Sequence, residues 1–152
     1  MAANLPSDVR LLTVTFDPAA EVAAFGAAHR GLGGLCSFVG EVRSDDAVEA
    51  LELSHYERMT LPAMAALADT ALARFDLLGL LLVHRSGVMH PGEPIVLVAA
   101  AARHRRAAIE AVDFTMDHLK ADSWFWKREL RGGRWSWIEP REQDHGDLAR
   151  WA

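Results

Sequence analysis

Two apolar runs limit what this chain can fold into. Leu77–His84 reads LLGLLLVH, and Pro94–Ala102 reads PIVLVAAAA. Each has the length of a strand, and neither alternates with polar residues, so each is expected to be a strand buried on both faces. The stretch between them, Gly87–Pro94 (GVMHPGEP), is read as loop from its glycines and prolines.

The second run feeds directly into Arg103–Glu129, which opens with Arg103, His104, Arg105 and Arg106 and closes on Lys120 and Lys127, seven residues apart. Between these ends Ile109, Val112, Met116 and Leu119 recur at spacings of three and four, which predicts a helix with one apolar face. The chain is expected to turn back after Asp122. A pocket that holds an anion and offers a titratable amine can be built from such parts, and so can an ordinary amphipathic helix with solvated basic ends.

The remaining elements follow from local signals. Arg10–Phe16 suits a first strand. Asp17-Pro18 marks a helix start, because Asp can cap and Pro is pre-set for the first turn. That helix is expected to end near Gly31. Leu35–Arg43 reads as a strand in which Gly40 marks a bulge or a close backbone approach. Val48–Tyr56 alternates and is expected to pair with it as an antiparallel hairpin across Ser44-Asp45-Asp46. A helix follows with Pro62 early in it and a stripe of Met64, Leu67, Ala68, Ala71, Leu72 and Phe75. Arg134–Ile138 is a last short strand. Strands outnumber helices, so the expected class is α+β with a mainly antiparallel sheet and flanking helices, in one domain spanning 1–152.

Composition removes several functions. A net charge of −5 disfavours general nucleic-acid binding and makes the clustered basic groups stand out as a local anion site. The longest uninterrupted apolar stretch is strand-sized, and the first ten residues do not resemble a signal peptide, so neither membrane insertion nor secretion is expected. One cysteine, Cys36, excludes an intramolecular disulfide and fits a cytoplasmic protein. It sits in an apolar strand pattern and reads as an inert thiol. Seven histidines form no HxH pair and no HExxH motif, so no metal site is expected. His84 and His90 flank a loop and read as partly exposed.

The candidate chemistry lies in three groups. Arg43 ends a strand and His104-Arg105 follow another, positions where binding groups collect. Arginine offers a planar fork for phosphate, and histidine can pass a proton. Lys120 and Lys127 are the third group. A free lysine, with a pKa of about 10.4, is almost never a base at neutral pH, but neighbouring cations or desolvation can bring it to roughly 7–8. Trp124, Phe125 and Trp126 lie between the lysines, and at least two of the three are expected to pack in the core.

These residues carry a resemblance. FVGEVR (Phe38–Arg43), LELSHYERM (Leu51–Met59), VHRSGVMHPGE (Val83–Glu93), AARHRRAAIEAVDFTMDHLK (Ala101–Lys120) and FWKRE (Phe125–Glu129) occur in the order and spacing of the large subunit of molybdopterin synthase, the MoaE family. The resemblance implies an α/β hammerhead-type fold and a homodimer. A small ubiquitin-like sulfur carrier (MoaD-type), ending in a Gly-Gly thiocarboxylate, would dock at each end to give a heterotetramer. It implies sulfur transfer to cyclic pyranopterin monophosphate (precursor Z), forming the dithiolene of molybdopterin, with no cofactor on this chain. By motif, Lys120 and Lys127 take the catalytic positions. Glu41, Val42, Arg43, His104, Arg105, Lys120, Lys127, Arg128 and Glu129 take the substrate-binding positions. Arg141, in PREQD, resembles a position that completes the site from a second subunit. Gly132-Gly133 is internal, so a separate sulfur donor is expected. Three departures stand out: a short turn at Ser44–Ala47, Glu41 in place of a lysine, and Ser123-Trp124 in place of a commoner Ala-Pro. The short turn leaves room for an alternative, a non-catalytic phosphate- or pterin-binding module of the same fold.

Overall fold

The computed structural model describes residues 6–121, 124–139 and 141–152. The elements in chain order are β1 (Ser7–Leu12), α1 (Pro18–Ala28), β2 (Gly34–Glu41), β3 (Ala50–His55), α2 (Glu57–Arg74), β4 (Leu77–Arg85), β5 (Gly87–Met89), β6 (Pro94–Ala102), α3 (Arg105–Ala121), β7 (Phe125–Arg131), β8 (Arg134–Ile138) and α4 (Glu142–Leu148), with a 3-10 turn at Ala149–Trp151. They form two four-stranded sheets, ordered β1-β4-β6-β2 and β5-β3-β7-β8. β1 runs parallel to β4, and every other strand pair is antiparallel. The class is mixed α+β, as expected.

The two apolar runs are β4 and β6, paired at the centre of the first sheet. Their alternate residues feed two cores. Leu80, Leu82, Val96, Val98 and Ala100 pack under α2 and α3 with Met64, Leu67, Ala111 and Phe114. Leu81, Val83, Leu97, Ala99 and Ala101 pack on the opposite face against Phe25 of α1. Both faces are covered, so neither strand has a solvent side to fill with polar residues. A third cluster, Val42, Leu51, Leu53 and Met89, lies under the second sheet.

Local chemistry accounts for most boundaries. The Asp17 carboxylate accepts from the Ala19 and Ala20 amides and caps α1, with Pro18 in its first turn. At Gly40 the register with β6 shifts, and an added Cβ would lie 2.9 Å from a Val96 methyl, so bulge and close approach are both present. Trp124 and Phe125 pack against the core, while Trp126 is exposed.

Several expectations are corrected. The hairpin does not form: β2 pairs with β6, and β3 lies in the other sheet between β5 and β7. The bulge at Gly40/Glu41 ends β2, and Asp46 and Ala47, both at positive φ, redirect the chain. β1 starts and ends earlier than expected because its partner ends at Arg85, opposite Leu12. The loop Gly87–Pro94 contains β5, which pairs with Leu51–Leu53. α2 begins at Glu57, so Pro62 lies beyond the first turn, and the Arg58 carbonyl it leaves unpaired is on the exposed side. α3 buries Ala108, Ala111, Val112, Thr115 and Leu119, while Ile109 is 47% exposed. Small residues let the helix sit close to the sheet, and Thr115 satisfies its hydroxyl on the Ala111 carbonyl at 2.7 Å. The expected turn after Asp122 starts at residues 122–123, outside the described residues.

Candidate active site

The last turn of α3, the start of β7 and the chain after the β2 bulge converge on one pocket of about 480 Å³. Lys120 reaches it from α3. β7 contributes every second residue, Phe125, Lys127, Glu129 and Arg131, because side chains alternate along a strand. Glu41, Val42 and Arg43 enter from the end of β2, and Arg141 and Asp144 from the start of α4. Apolar walls come from Leu51, Leu53, Ile95, Val96, Met116 and Leu119.

Among the described residues the lining holds six carboxylates (Glu41, Asp45, Asp46, Glu129, Glu139, Asp144) against five cations (Arg43, Lys120, Lys127, Arg131, Arg141). The basic character is therefore local to Lys120. Its ammonium is pulled below the usual lysine range, first by the protein crowded around it, then by the charge of Lys127, with Arg141 and Arg43 adding and Asp144 opposing. Lys120 keeps contact with solvent at the pocket mouth, which softens the desolvation part and leaves the neighbouring cations a real share. Lys127 is ion-paired at 3.7 Å with Glu129, which also holds Arg131 at 2.9 Å. The Asp144 carboxylate accepts from the Arg141 amide and guanidinium, which fixes Arg141 at the head of α4.

The floor is a histidine. His84 is buried, stacks on Phe125 with ring centroids 4.0 Å apart, and has Nδ1 2.8 Å from the Arg85 carbonyl. A carbonyl needs a donor, so Nδ1 carries the proton of the neutral ring. Burial pushes its pKa down to about 4, against the opposing pull of that hydrogen bond; the charges of Lys120 and His55 push the same way as burial. The reading of His84 as a partly exposed loop residue is thus corrected. Its signal was its place at the end of a continuous apolar run, where burial persists. Cys36 is partly buried, and burial raises its thiol pKa, away from the thiolate form.

Three expected binding residues lie elsewhere. Arg128 is on the opposite face of β7, where it makes two hydrogen bonds to Glu52, at 3.0 and 2.9 Å, and stacks over Trp135 at 4.4 Å. The bonds from Arg128 hold the Glu52 carboxyl below the usual range. His104 and Arg105 line a separate hollow with Gly33 and Gly34 at the other end of α3. Arg105 and Lys120 are 15 residues apart on that helix, about 22 Å at 1.5 Å per residue. Within one chain they cannot hold the same small molecule. Arg141, expected from a second subunit, lines the pocket of its own chain.

Comparison with known proteins identifies the family. The family described as MoaE protein matches residues 12–122. The chain belongs to the MoaE family. A molybdopterin synthase catalytic subunit of Mesorhizobium japonicum is 43% identical over 154 residues, covering 99% of this chain and 97% of that protein. Among solved structures, a MoaE protein from Burkholderia ambifaria MC40-6 superposes with a TM-score of 0.81 at 41% identity, covering 95% of this chain and 97% of that one. A chain from the complex of subunits 1 and 2 of molybdopterin-converting factor from Helicobacter pylori 26695 shares the MoaE fold, with a TM-score of 0.75 at 21% identity, covering 88% of this chain and 91% of that one.

Proposed function

We propose that the chain is the catalytic subunit of a molybdopterin synthase. It transfers sulfur from the thiocarboxylated C-terminus of a small ubiquitin-like carrier subunit to precursor Z, forming the dithiolene of molybdopterin. The observation that carries this reading is the convergence of Lys120 and Lys127, from two different elements, with Arg43 and Arg141 in one pocket. A second subunit is implied by the relatives themselves, named as catalytic subunits at 40–43% identity.

Each group has a part that its surroundings favour. Arg43 and Arg141 present planar forks suited to a cyclic phosphate. Lys120, with its lowered basicity, takes and returns protons as the phosphate ring opens and sulfur adds. Lys127, ion-paired with Glu129, stabilises negative charge developing at the thiocarboxylate. The apolar walls receive the flat pterin and exclude water. A substrate role for His104 and Arg105 requires a second copy of the chain to bring them to this pocket, so a homodimer, and a heterotetramer with the carrier, is part of the proposal. A thiocarboxylate donor and an unpaired cysteine fit the reducing cytoplasm.

The test is reconstitution with a thiocarboxylated carrier and precursor Z, reading the fluorescent oxidation product of molybdopterin. Product that depends on this chain is expected. Lys120→Arg keeps the charge but cannot deprotonate, so turnover falls about 10²–10⁴-fold with precursor Z still bound. Bound precursor Z without product from the unmodified chain would instead mark a non-catalytic binding module.

A further inference from the structure

We propose that the buried Arg85 and the half-buried Glu93 form a clamp whose task is to position Arg43. After the Gly40/Glu41 bulge, the β2 ladder makes one more pair, Glu41 with Pro94, and ends. Val42 is held instead by the turn that precedes β6. Its amide donates to the Glu93 carbonyl at 3.0 Å, and its carbonyl accepts from the Gly92 amide at 2.8 Å. The turn is closed from inside: the Glu93 amide donates to the His90 carbonyl at 3.0 Å, and the His90 amide donates to Glu93 Oε2 at 2.6 Å. That same oxygen lies 3.8 Å from Nη1 of Arg85.

Arg85 is an unusual anchor. It is 5% exposed, and among the described residues its Nε and Nη1 have no hydrogen-bond acceptor, while Nη2 reaches only the Thr13 carbonyl, at 3.5 Å. A buried guanidinium is costly without an opposite charge, and the only ion pair it makes among the described residues is with Glu93. Arg43 is the reverse case. Its side chain is exposed at the pocket, and among the described residues it has no carboxylate partner. Its direction is set by the backbone of Val42, whose side chain is buried with Leu51, Leu53 and Met89. The charge pair therefore acts on substrate through one intermediary, the Glu93 turn clasping Val42.

This rests on the reading of Arg43 as a substrate-binding group, and the experiment separates the two. Glu93→Gln keeps the size of the turn and an acceptor for the His90 amide, and removes only the charge. In the reconstituted synthase it raises KM for precursor Z about tenfold while kcat stays within about twofold, and the Kd measured by calorimetry on this chain rises in parallel. On an Arg43→Ala background the same substitution adds less than about twofold, because the group it positions is gone. An equal Glu93→Gln penalty in both backgrounds, or a fall in kcat matched by a general loss of stability, overturns the clamp. If Arg43→Ala alone leaves KM and Kd unchanged, the substrate role of Arg43 fails, and the clamp has nothing to position.

Discussion

Lys120 sits in the last turn of α3, where the helix dipole favours a cation. Its basicity is nevertheless lowered, so crowding and neighbouring charge outweigh the dipole. Removing one neighbour should move it back. Arg141→Gln deletes a cation that lowers the Lys120 pKa, so the rising limb of the pH–rate profile should shift to higher pH, and Asp144→Asn should shift it the other way. His84 gives a separate pH signature in stability. Its folded pKa of about 4 lies below the ordinary value of 6.5. Between those values the unfolded chain binds a proton that the folded chain refuses. Stability is therefore complete above about pH 6.5 and falls as pH drops toward 4, by up to about 3 kcal/mol. His84→Phe keeps a ring on Phe125 and should flatten that decline in denaturant titrations across the window.

At the scale of elements, α3 illustrates what can and cannot be read from a sequence. Its existence and ends were legible from spacing, and so was part of its buried face, Val112, Met116 and Leu119; the rest was not, because Ala108, Ala111 and Thr115 carry weak apolar signals while Ile109 carries a strong one and points outward. The close approach of α3 to the sheet makes a prediction. Ala111→Leu should destabilise by about 1–3 kcal/mol through overpacking, measured as a lowered denaturation midpoint. β4, β6 and β8 were legible because burial or alternation is written locally. The partner of β2 was not, since pairing between residues 53 (Glu41 and Pro94) to 68 (Gly34 and Ala102) apart leaves no local mark. In the site, Phe125–Arg131 was not read as a strand; once it is, the period of two along β7 separates Lys127 from Arg128 and turns Arg128 outward. The separation of His104-Arg105 from Lys120 was equally implied by the length of α3, whereas the arrival of Arg141 and Asp144 beside Lys120 depends on tertiary packing.

Across the whole molecule, the C-terminal turn ties distant parts together. Trp151 packs edge-on against Phe75 and Phe114, and its indole nitrogen donates to Asp117 at 2.6 Å. Arg150 bonds to Asp113 and Asp117, and Arg74 lies 5.5 Å from the Trp151 ring. These contacts seat α4, and with it Arg141, against α3. Trp151→Ala should cost roughly 2–4 kcal/mol, lowering the melting temperature by about 2–4 °C per kcal/mol. It should also weaken precursor Z binding, because α4 loses its anchor.

The parallel pairing of β1 with β4 has a consequence for how the chain is made. Ser7 meets Leu80, so the strand that leaves the ribosome first must wait for a partner about 70 residues behind it, roughly 4–14 s at 5–20 residues per second. During that wait β1 has no sheet to join. Arg10, however, makes a two-pronged bond to Glu21, only 11 residues away on α1. That bond has both partners synthesised long before β4, whereas the place of β1 in the sheet is fixed only once β4 is made.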